Sequence, residues 1–312
     1  MSNTAKEETD AKAKEEEGGT ADKHVCANCG AAEVDFIKLE QCTDCDLVKY
    51  CSGKCREEHR EQHEEDCKKR KAELHDKELF TQPKETHLGE CPLCFLPMPQ
   101  DRRKSMFMTC CSEIICLGCL YANTLSNKHD EEKAMRCPFC REPAADDDEY
   151  DKRNMKRIKA NDPAAMRHMG EKCYKEGDYY DAFEYLTKAA ELENIDAHAQ
   201  LGMMYRKRRG VEKDEEKAAY HWEVAAIGGH PFARHNLATN EEENGNMERA
   251  VKHFIIAANL GYENSMKSLW GHYSRGNITK EDLDATLRSH HAAINAMKSA
   301  QRDTAEATGV FK

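Results

Sequence analysis

Cysteine carries the chemistry in this sequence. Sixteen are present, and fifteen fall between Cys26 and Cys140, which leaves Cys173 alone in the remainder. Most recur as pairs: Cys26-x2-Cys29, Cys42-x2-Cys45, Cys51-x3-Cys55, Cys91-x2-Cys94, Cys116-x2-Cys119 and Cys137-x2-Cys140. Two thiolates at this spacing face one ion across a tight turn, with Zn–S near ~2.3 Å. His63-x3-Cys67 adds a mixed pair one helical turn apart. A disulfide scaffold would need an export signal, and the opening MSNTAKEETDAKAKEEEGG has no apolar core. A thioredoxin-like redox device needs one such pair in a βαβ setting, not several. The chemistry expected is therefore structural zinc.

The ligands form two clusters. Residues 26–67 hold seven cysteines and His63, and residues 91–140 hold eight cysteines. Sixteen ligands at four per tetrahedral ion give an expectation of four Zn2+. In the first cluster Val34, Phe36, Ile37, Leu39, Leu47, Val48 and Tyr50 are nearly all the apolar residues available. Such a segment cannot fold on its core alone. A structural zinc contributes on the order of 10–16 kcal/mol in peptide hosts. His59, one turn before His63, is expected on exposed helix surface.

Over its whole length the first cluster resembles a MYND zinc finger. In that family two sites interleave. The resemblance implies one ion on Cys26, Cys29, Cys51 and Cys55, and a second on Cys42, Cys45, His63 and Cys67. Family members that bind proline-containing peptides carry a tryptophan three residues before the ligand histidine. Arg60 stands there, so what is implied is a protein-interaction module without that aromatic wall.

The second cluster resembles a RING finger, in which ligand pairs one and three share an ion and pairs two and four share another. The resemblance implies Cys91, Cys94, Cys116 and Cys119 for one, and Cys110, Cys111, Cys137 and Cys140 for the other. The common pattern would put a histidine where Glu113 stands. A cysteine-only subset fits Cys111-x4-Cys116 but separates the two preceding cysteines by one residue, whereas Cys110 and Cys111 are adjacent. Three outcomes stay open: both thiolates on one ion through a tight turn, Glu113 as the ligand, or an empty second site. RING fingers that act as ubiquitin ligases present an apolar patch to the conjugating enzyme. Here the resemblance places Leu93, Leu120, Tyr121, Pro138 and Phe139 in that patch, and Arg141 just after the last ligand. Such a protein does no covalent chemistry; it holds the charged conjugate ready for attack. The competing reading leaves Leu93 and Phe139 as packing residues and Arg141 in solvent.

These clusters must be held by something larger, and the rest of the chain says what. The 312 residues have room for two or three domains. Charged residues are 34% and the net charge is −11, which argues against nucleic-acid binding by phosphate neutralisation. No run of about 18 apolar residues marks a membrane span. A cytoplasmic or nuclear protein is expected. Residues 1–23 should be a disordered charged tail. Residues 68–88 read as a charged linker, helix-capable around 64–79, and 142–160 as an acidic then basic linker. The basic runs Lys68–Lys71 and Arg206–Arg209 read as solvated surface.

From 161 onward a pattern repeats. Ala165/Met169/Gly170, Ala197/Leu201/Gly202, Ala233/Leu237/Ala238 and Ser265/Leu269/Trp270 recur at steps of 32, 36 and 32. A second signature ends in Ala189-Ala190, Ala225-Ala226 and Ala257-Ala258, with Leu186, Trp222 and Phe254 expected in the core. Gly210-Val211-x2-Asp214-x2-Lys217-Ala218 and Gly228 complete the resemblance to a Sel1-like repeat. The units without that longer turn are shorter, which accounts for the uneven steps. The region 161–305 should end in one capping helix from Lys280 to about Ala305. Cys173 reads as a small buried hydrophobe. His198, His221, His230, His235 and His253 read as ordinary surface or core residues, and His290-His291 as an exposed pair. No Ser-His-Asp order, phosphate loop or paired-carboxylate site stands out.

The fold class expected is thus multidomain: two small zinc-stabilised fingers, 26–67 and 91–141, followed by an all-α solenoid of helix-turn-helix repeats. The function expected is a zinc-binding adaptor of the RING ubiquitin-ligase type. Its repeats would recruit a protein client, and its second finger a ubiquitin-conjugating enzyme. The alternative is a scaffold in which both fingers and the repeats only bind partners.

Overall fold

The computed structural model describes residues 24–309. The tail expected to be disordered lies outside them. The chain divides into two compact units, one ending at Lys77 and one beginning at Glu78.

The first unit is built around metal-ligand spacing rather than a core. Strands β1 (Glu40–Gln41) and β2 (Lys49–Tyr50) pair antiparallel, Glu40 opposite Tyr50. Helix α1 (Gly53–Glu58) follows, capped by the Ser52 hydroxyl, which accepts from the Cys55 amide. Helix α2 (Arg60–Leu79) comes next. Of the seven apolar residues counted in the sequence only Tyr50 is buried, and Phe36 is 87% exposed. His59 is not free helix surface as expected. Its Nδ1 lies 3.1 Å from the Tyr50 hydroxyl, and its ring stacks on His63 at 5.8 Å.

The second unit joins a finger to a helical stack. A two-stranded antiparallel sheet, β3 (Ser105–Met108) with β4 (Glu113–Cys116), sets Met108 opposite Glu113 and Ser105 opposite Cys116. Helix α3 (Leu117–Ser126) and the short α4 (Glu131–Ala134) complete the finger. The stretch 142–160, expected as a linker, is mostly helix α5 (Asp147–Lys159), N-capped by Asp146. Asn154 is buried and Ile158 packs into the first repeat, so this stretch belongs to the stack.

The repeats form helix pairs α6 (Pro163–Glu176) with α7 (Tyr179–Glu191), α8 (Ile195–Lys207) with α9 (Glu215–Ile227), and α10 (Pro231–Glu243) with α11 (Met247–Asn259). Asp162, Asp178, Asn194 and Asp214 cap the first four of these helices with side-chain oxygens, satisfying amides that have no helical partner. All six paired alanines are buried, as are Leu186, Trp222 and Phe254. Small residues at the reference positions are a steric need. A Cβ on Gly202 would lie 2.4 Å from the Trp222 indole nitrogen. Trp270 stands at the equivalent place in α12 (Glu263–Ser274), where no fourth pair continues the pattern, and it is half exposed.

The end of the chain differs from the expectation. Instead of one capping helix there are two, α13 (Lys280–Ala296) and α14 (Ala300–Thr308). Ser299 starts the second by accepting from the Arg302 amide. His290 is buried, with Nδ1 at 2.9 Å from the Ala258 carbonyl and Nε2 at 3.2 Å from Glu263, while His291 is exposed. Cys173 packs half-buried against the first repeat. In the run Arg206–Arg209, Arg206 pairs with Glu243, and Arg209 lies 5.2 Å from the ring centres of Tyr174 and Tyr179.

The repeats are expected to recruit a client, and one face open to it is the row of first helices, α6, α8 and α10. Much of it is lined by the chain's own residues 79–107. Arg234 on α10 donates to the Leu79 carbonyl at 2.6 Å. The His87 amide donates to the Gly229 carbonyl at 3.1 Å. Arg102 pairs with Glu171 on α6 and Asp196 on α8, and Phe107 stacks on His168 at 4.5 Å.

Candidate metal centres

Fifteen cysteines and His63 gather into four sets of four, grouped as the two resemblances imply. They are Cys26, Cys29, Cys51 and Cys55; Cys42, Cys45, His63 and Cys67; Cys91, Cys94, Cys116 and Cys119; and Cys110, Cys111, Cys137 and Cys140. Within each set the candidate ligand atoms lie within 4.8 Å of one another. Sulfurs around a tetrahedral zinc at ~2.3 Å sit about 3.8 Å apart. The Sγ–Sγ distances are 3.6 Å for Cys29–Cys51 and Cys51–Cys55, 3.9 Å for Cys42–Cys67, and 3.8 Å for both Cys91–Cys119 and Cys94–Cys116. His63 Nε2 is 3.1 Å from Cys45 Sγ. All sixteen cysteines are free thiols, which sets the disulfide framework aside.

The local backbone explains how four of the pairs converge. After Cys29, Cys45, Cys94 and Cys140 the next residue, Gly30, Asp46, Phe95 or Arg141, has φ of +72, +56, +54 or +66°. Its amide donates back to the carbonyl of the pair's first cysteine, at 2.9 Å in three cases and 3.4 Å for Asp46. The left-handed turn swings both side chains to one side. Only one of the four is glycine, so the others adopt a conformation that costs on the order of 1–3 kcal/mol unless something holds it.

The adjacent cysteines meet through a fifth such turn. Thr109–Ser112 form the loop between β3 and β4, and Ser112 has φ +60° with its amide donating to Met108 at 2.7 Å. This brings Cys110 and Cys111 Sγ to 4.0 Å, Cys110 to 3.4 Å from Cys140, and Cys111 to 3.9 Å from Cys137. Glu113, the alternative ligand, lies in β4 and is not in the set. Arg157 braces the turn, donating to the Thr109 carbonyl at 2.9 Å and the Cys110 carbonyl at 2.5 Å.

Electrostatics favour thiolate at the first cysteine of two knuckles. A hydrogen bond from Cys116 and the amides of Cys116, Leu93 and Cys94 outweigh burial and hold Cys91 down at about 4. Burial pushes Cys26 up, but the Cys29, Cys51 and Asn28 amides prevail and bring it to about 6. Cys119, in the same set as Cys91, is pushed up to about 12 by burial and by the Cys91 thiolate, and in the fourth set burial and the neighbouring Cys137 and Cys140 thiolates push Cys111 up to about 12. Four sulfurs cannot all ionise in so small a space without a cation. That donor set fits zinc, which would bind all four as thiolates.

The residues expected in the conjugating-enzyme patch are placed as follows. Phe139 is 45% exposed and Arg141 is exposed. Leu93 and Tyr121 are half-buried, with Leu93 packed against the finger's core, while Leu120 and Pro138 are buried. Phe95, which sequence reasoning passed over, is 70% exposed.

A fifth cluster was also missed. His87, Asp196 and His230 bring three candidate ligand atoms together. His87 Nε2 is 2.9 Å and His230 Nε2 3.3 Å from the same oxygen, Asp196 Oδ1, and the two rings stack at 4.0 Å. Burial pushes the Asp196 carboxyl up, yet the hydrogen bonds from His230 and His87 and the Arg102 charge hold it well below the usual range. The protons argue against a metal here. His230 Nδ1 accepts from the Ala233 amide, so Nε2 carries the hydrogen and donates it to Asp196. The cluster is a buried ion network that pins residues 87 and 102 to the stack. His87 lies 109 residues before Asp196 and the cluster follows no motif, so spacing could not reveal it.

Paired-thiol fingers ahead of a stack of helix pairs define a zinc-finger and solenoid protein. The family comparison makes this specific: the chain carries a MYND finger at residues 26–67 and Sel1 repeats at 163–194, 195–230 and 231–262. Among solved structures it is similar to a Sel1 repeat protein from Oxalobacter formigenes, at 26% identity over 57% of this chain and 72% of that one, with a TM-score of 0.44. It is also similar to a protective antigen present in uropathogenic Escherichia coli strains displaying an SLR fold, at 24% identity over 47% of this chain and 33% of that one, with a TM-score of 0.41. Comparison with curated proteins returns no match. No helix among the described residues is long and apolar enough to cross a membrane.

Proposed function

We propose that this protein is a zinc-dependent protein-interaction adaptor whose second finger recruits a ubiquitin-conjugating enzyme, making it a RING-type ubiquitin-protein ligase. The observation that carries this reading is the interleaving of the 91–141 cysteines, first pair with third and second pair with fourth. In it the loop 91–95 shares a set with the start of α3 and the loop 137–141 shares one with the β3–β4 turn, and Phe95, Phe139 and Arg141 are exposed on those loops. Four Zn2+ would occupy the four sets, two per finger. They would act as structural ions, and the finger would contribute orientation of a bound conjugate rather than bond chemistry.

The chain's own coverage of the first-helix row favours a client site elsewhere on the repeats. The second helices expose Tyr180, Tyr220 and Met247. A second reading, a scaffold without ligase activity, draws support from Leu93, which packs against the finger's core.

Ubiquitin, activating enzyme and a panel of conjugating enzymes separate the two. Chain formation by the zinc-loaded protein that falls at least tenfold in Phe139→Ala and Arg141→Ala supports the ligase. Silence across the panel with all zinc present supports the scaffold.

A further inference from the structure

The C-terminal helix α14 packs against α3 of the second finger. Gln301 Nε2 donates to the Gly118 carbonyl at 2.8 Å, and Lys104 pairs with Glu306 at 2.8 Å. Arg302 reaches further. Nη1 donates to the Pro97 and Met297 carbonyls, both at 2.7 Å, while Nη2 lies 3.3 Å from the Leu96 carbonyl and 3.4 Å from Cys94 Sγ. Three of these four acceptors belong to the segment that begins with the second cysteine of the Cys91-x2-Cys94 knuckle.

The approach depends on Gly118, inside Cys116-x2-Cys119. A Cβ there would stand 2.8 Å from Arg302 Cγ and 3.1 Å from its Cα and amide nitrogen. Both knuckles of one metal set are therefore shaped around the same arginine. Besides Arg302, residues 94–97 are held by backbone pairing: the Cys91 amide donates to the Leu96 carbonyl at 3.0 Å, the Phe95 amide to the Cys91 carbonyl at 2.9 Å, and Glu90 bridges Pro97. The turn is a strained one at Phe95, whose side chain faces solvent.

We propose that Arg302 is an outer-sphere residue of the centre formed by Cys91, Cys94, Cys116 and Cys119, and that the ion and the C-terminal helix hold each other in place. The proposal rests on the reading that this set binds zinc. A tetrathiolate centre keeps net negative charge after binding a divalent ion, and the half-buried Arg302 guanidinium donating to one sulfur offsets part of it. The fork also takes the carbonyls of residues 96 and 97, which follow directly on the knuckle. Loss of the ion removes the thiolate and the loop geometry together, and α14 loses its anchor. By linkage, loss of α14 weakens the ion.

The test uses the full chain, zinc-loaded, as wild type, Arg302→Ala and Gly118→Ala. The glycine variant pushes the helix away without touching a ligand. Zinc is counted, its release to a chromogenic chelator is timed, and amide exchange is followed on residues 300–308. In both variants one zinc equivalent is expected to leave about tenfold faster or more, the range typical of outer-sphere losses, with the others unchanged. In the wild type, chelation is expected to abolish protection of 300–308. Unchanged release in both variants, or a helix still protected after chelation, overturns the coupling. The metal reading fails separately: in that case Cys94→Ser carries as much zinc as the wild type.

Discussion

His253 is fully buried against Phe80, 4.6 Å away, with its Nδ1 3.4 Å from Arg234. Burial first, and then the Arg234 and Arg249 charges, depress it to about 3. A histidine held neutral in the folded state binds its proton only on unfolding. Between its ordinary value near ~6.5 and about 3 the unfolded chain holds one more proton, so stability drops as pH is lowered, by about 1.4 kcal/mol per pH unit for this group. His230, depressed to about 4 by burial and by His87, acts in the same direction. Thermal unfolding of the helical signal at pH 7.5 and 5.5 should show the loss. His253→Gln should flatten the slope between those pH values. An unchanged slope would mean that the ring is protonated in the folded protein.

Elements tell how far the sequence could be read. The repeat helices were legible because alanine pairs and glycines recur at fixed steps, and every one of those alanines is buried. The ligand sets were legible because a C-x-x-C turn is local. What could not be read was set by contacts across long separations. The break between α13 and α14 carries no proline or glycine, only the Ser299 cap. That 147–159 docks on the first repeat through Ile158, and that His87 meets Asp196, follow from the fold alone. At the β3–β4 turn the sequence left three outcomes open, and the geometry chooses among the ligands. Cys110→Ser or Cys111→Ser should each lower bound zinc by about one equivalent in metal analysis, while Glu113→Gln should leave it unchanged. Loss of zinc in the glutamate variant alone would reverse the assignment.

At the scale of the molecule two kinds of stability coexist. The first unit buries only Cys26, Tyr50 and Cys55 as the centre of its apolar cluster. The stack has three clusters of its own, the largest running from Ala238 to Leu283. Chelation should therefore unfold residues 26–67 and loosen 91–141, leaving most of the far-ultraviolet helical signal. Hydrogen exchange mapped along the chain checks this. Uniform loss across the repeats, or retained protection in the fingers, would show that the division is wrong.

The second finger is fastened to the stack by the polypeptide on both sides of it, through His87 and Arg102 before its hairpin and through Arg302 from the far end of the chain. Such a module has no swivel. On the proposed reading, a client held by the second helices would face a conjugating enzyme seated on Phe139 and Arg141 at one fixed span and angle, and lengthening the stack by one repeat would change that span.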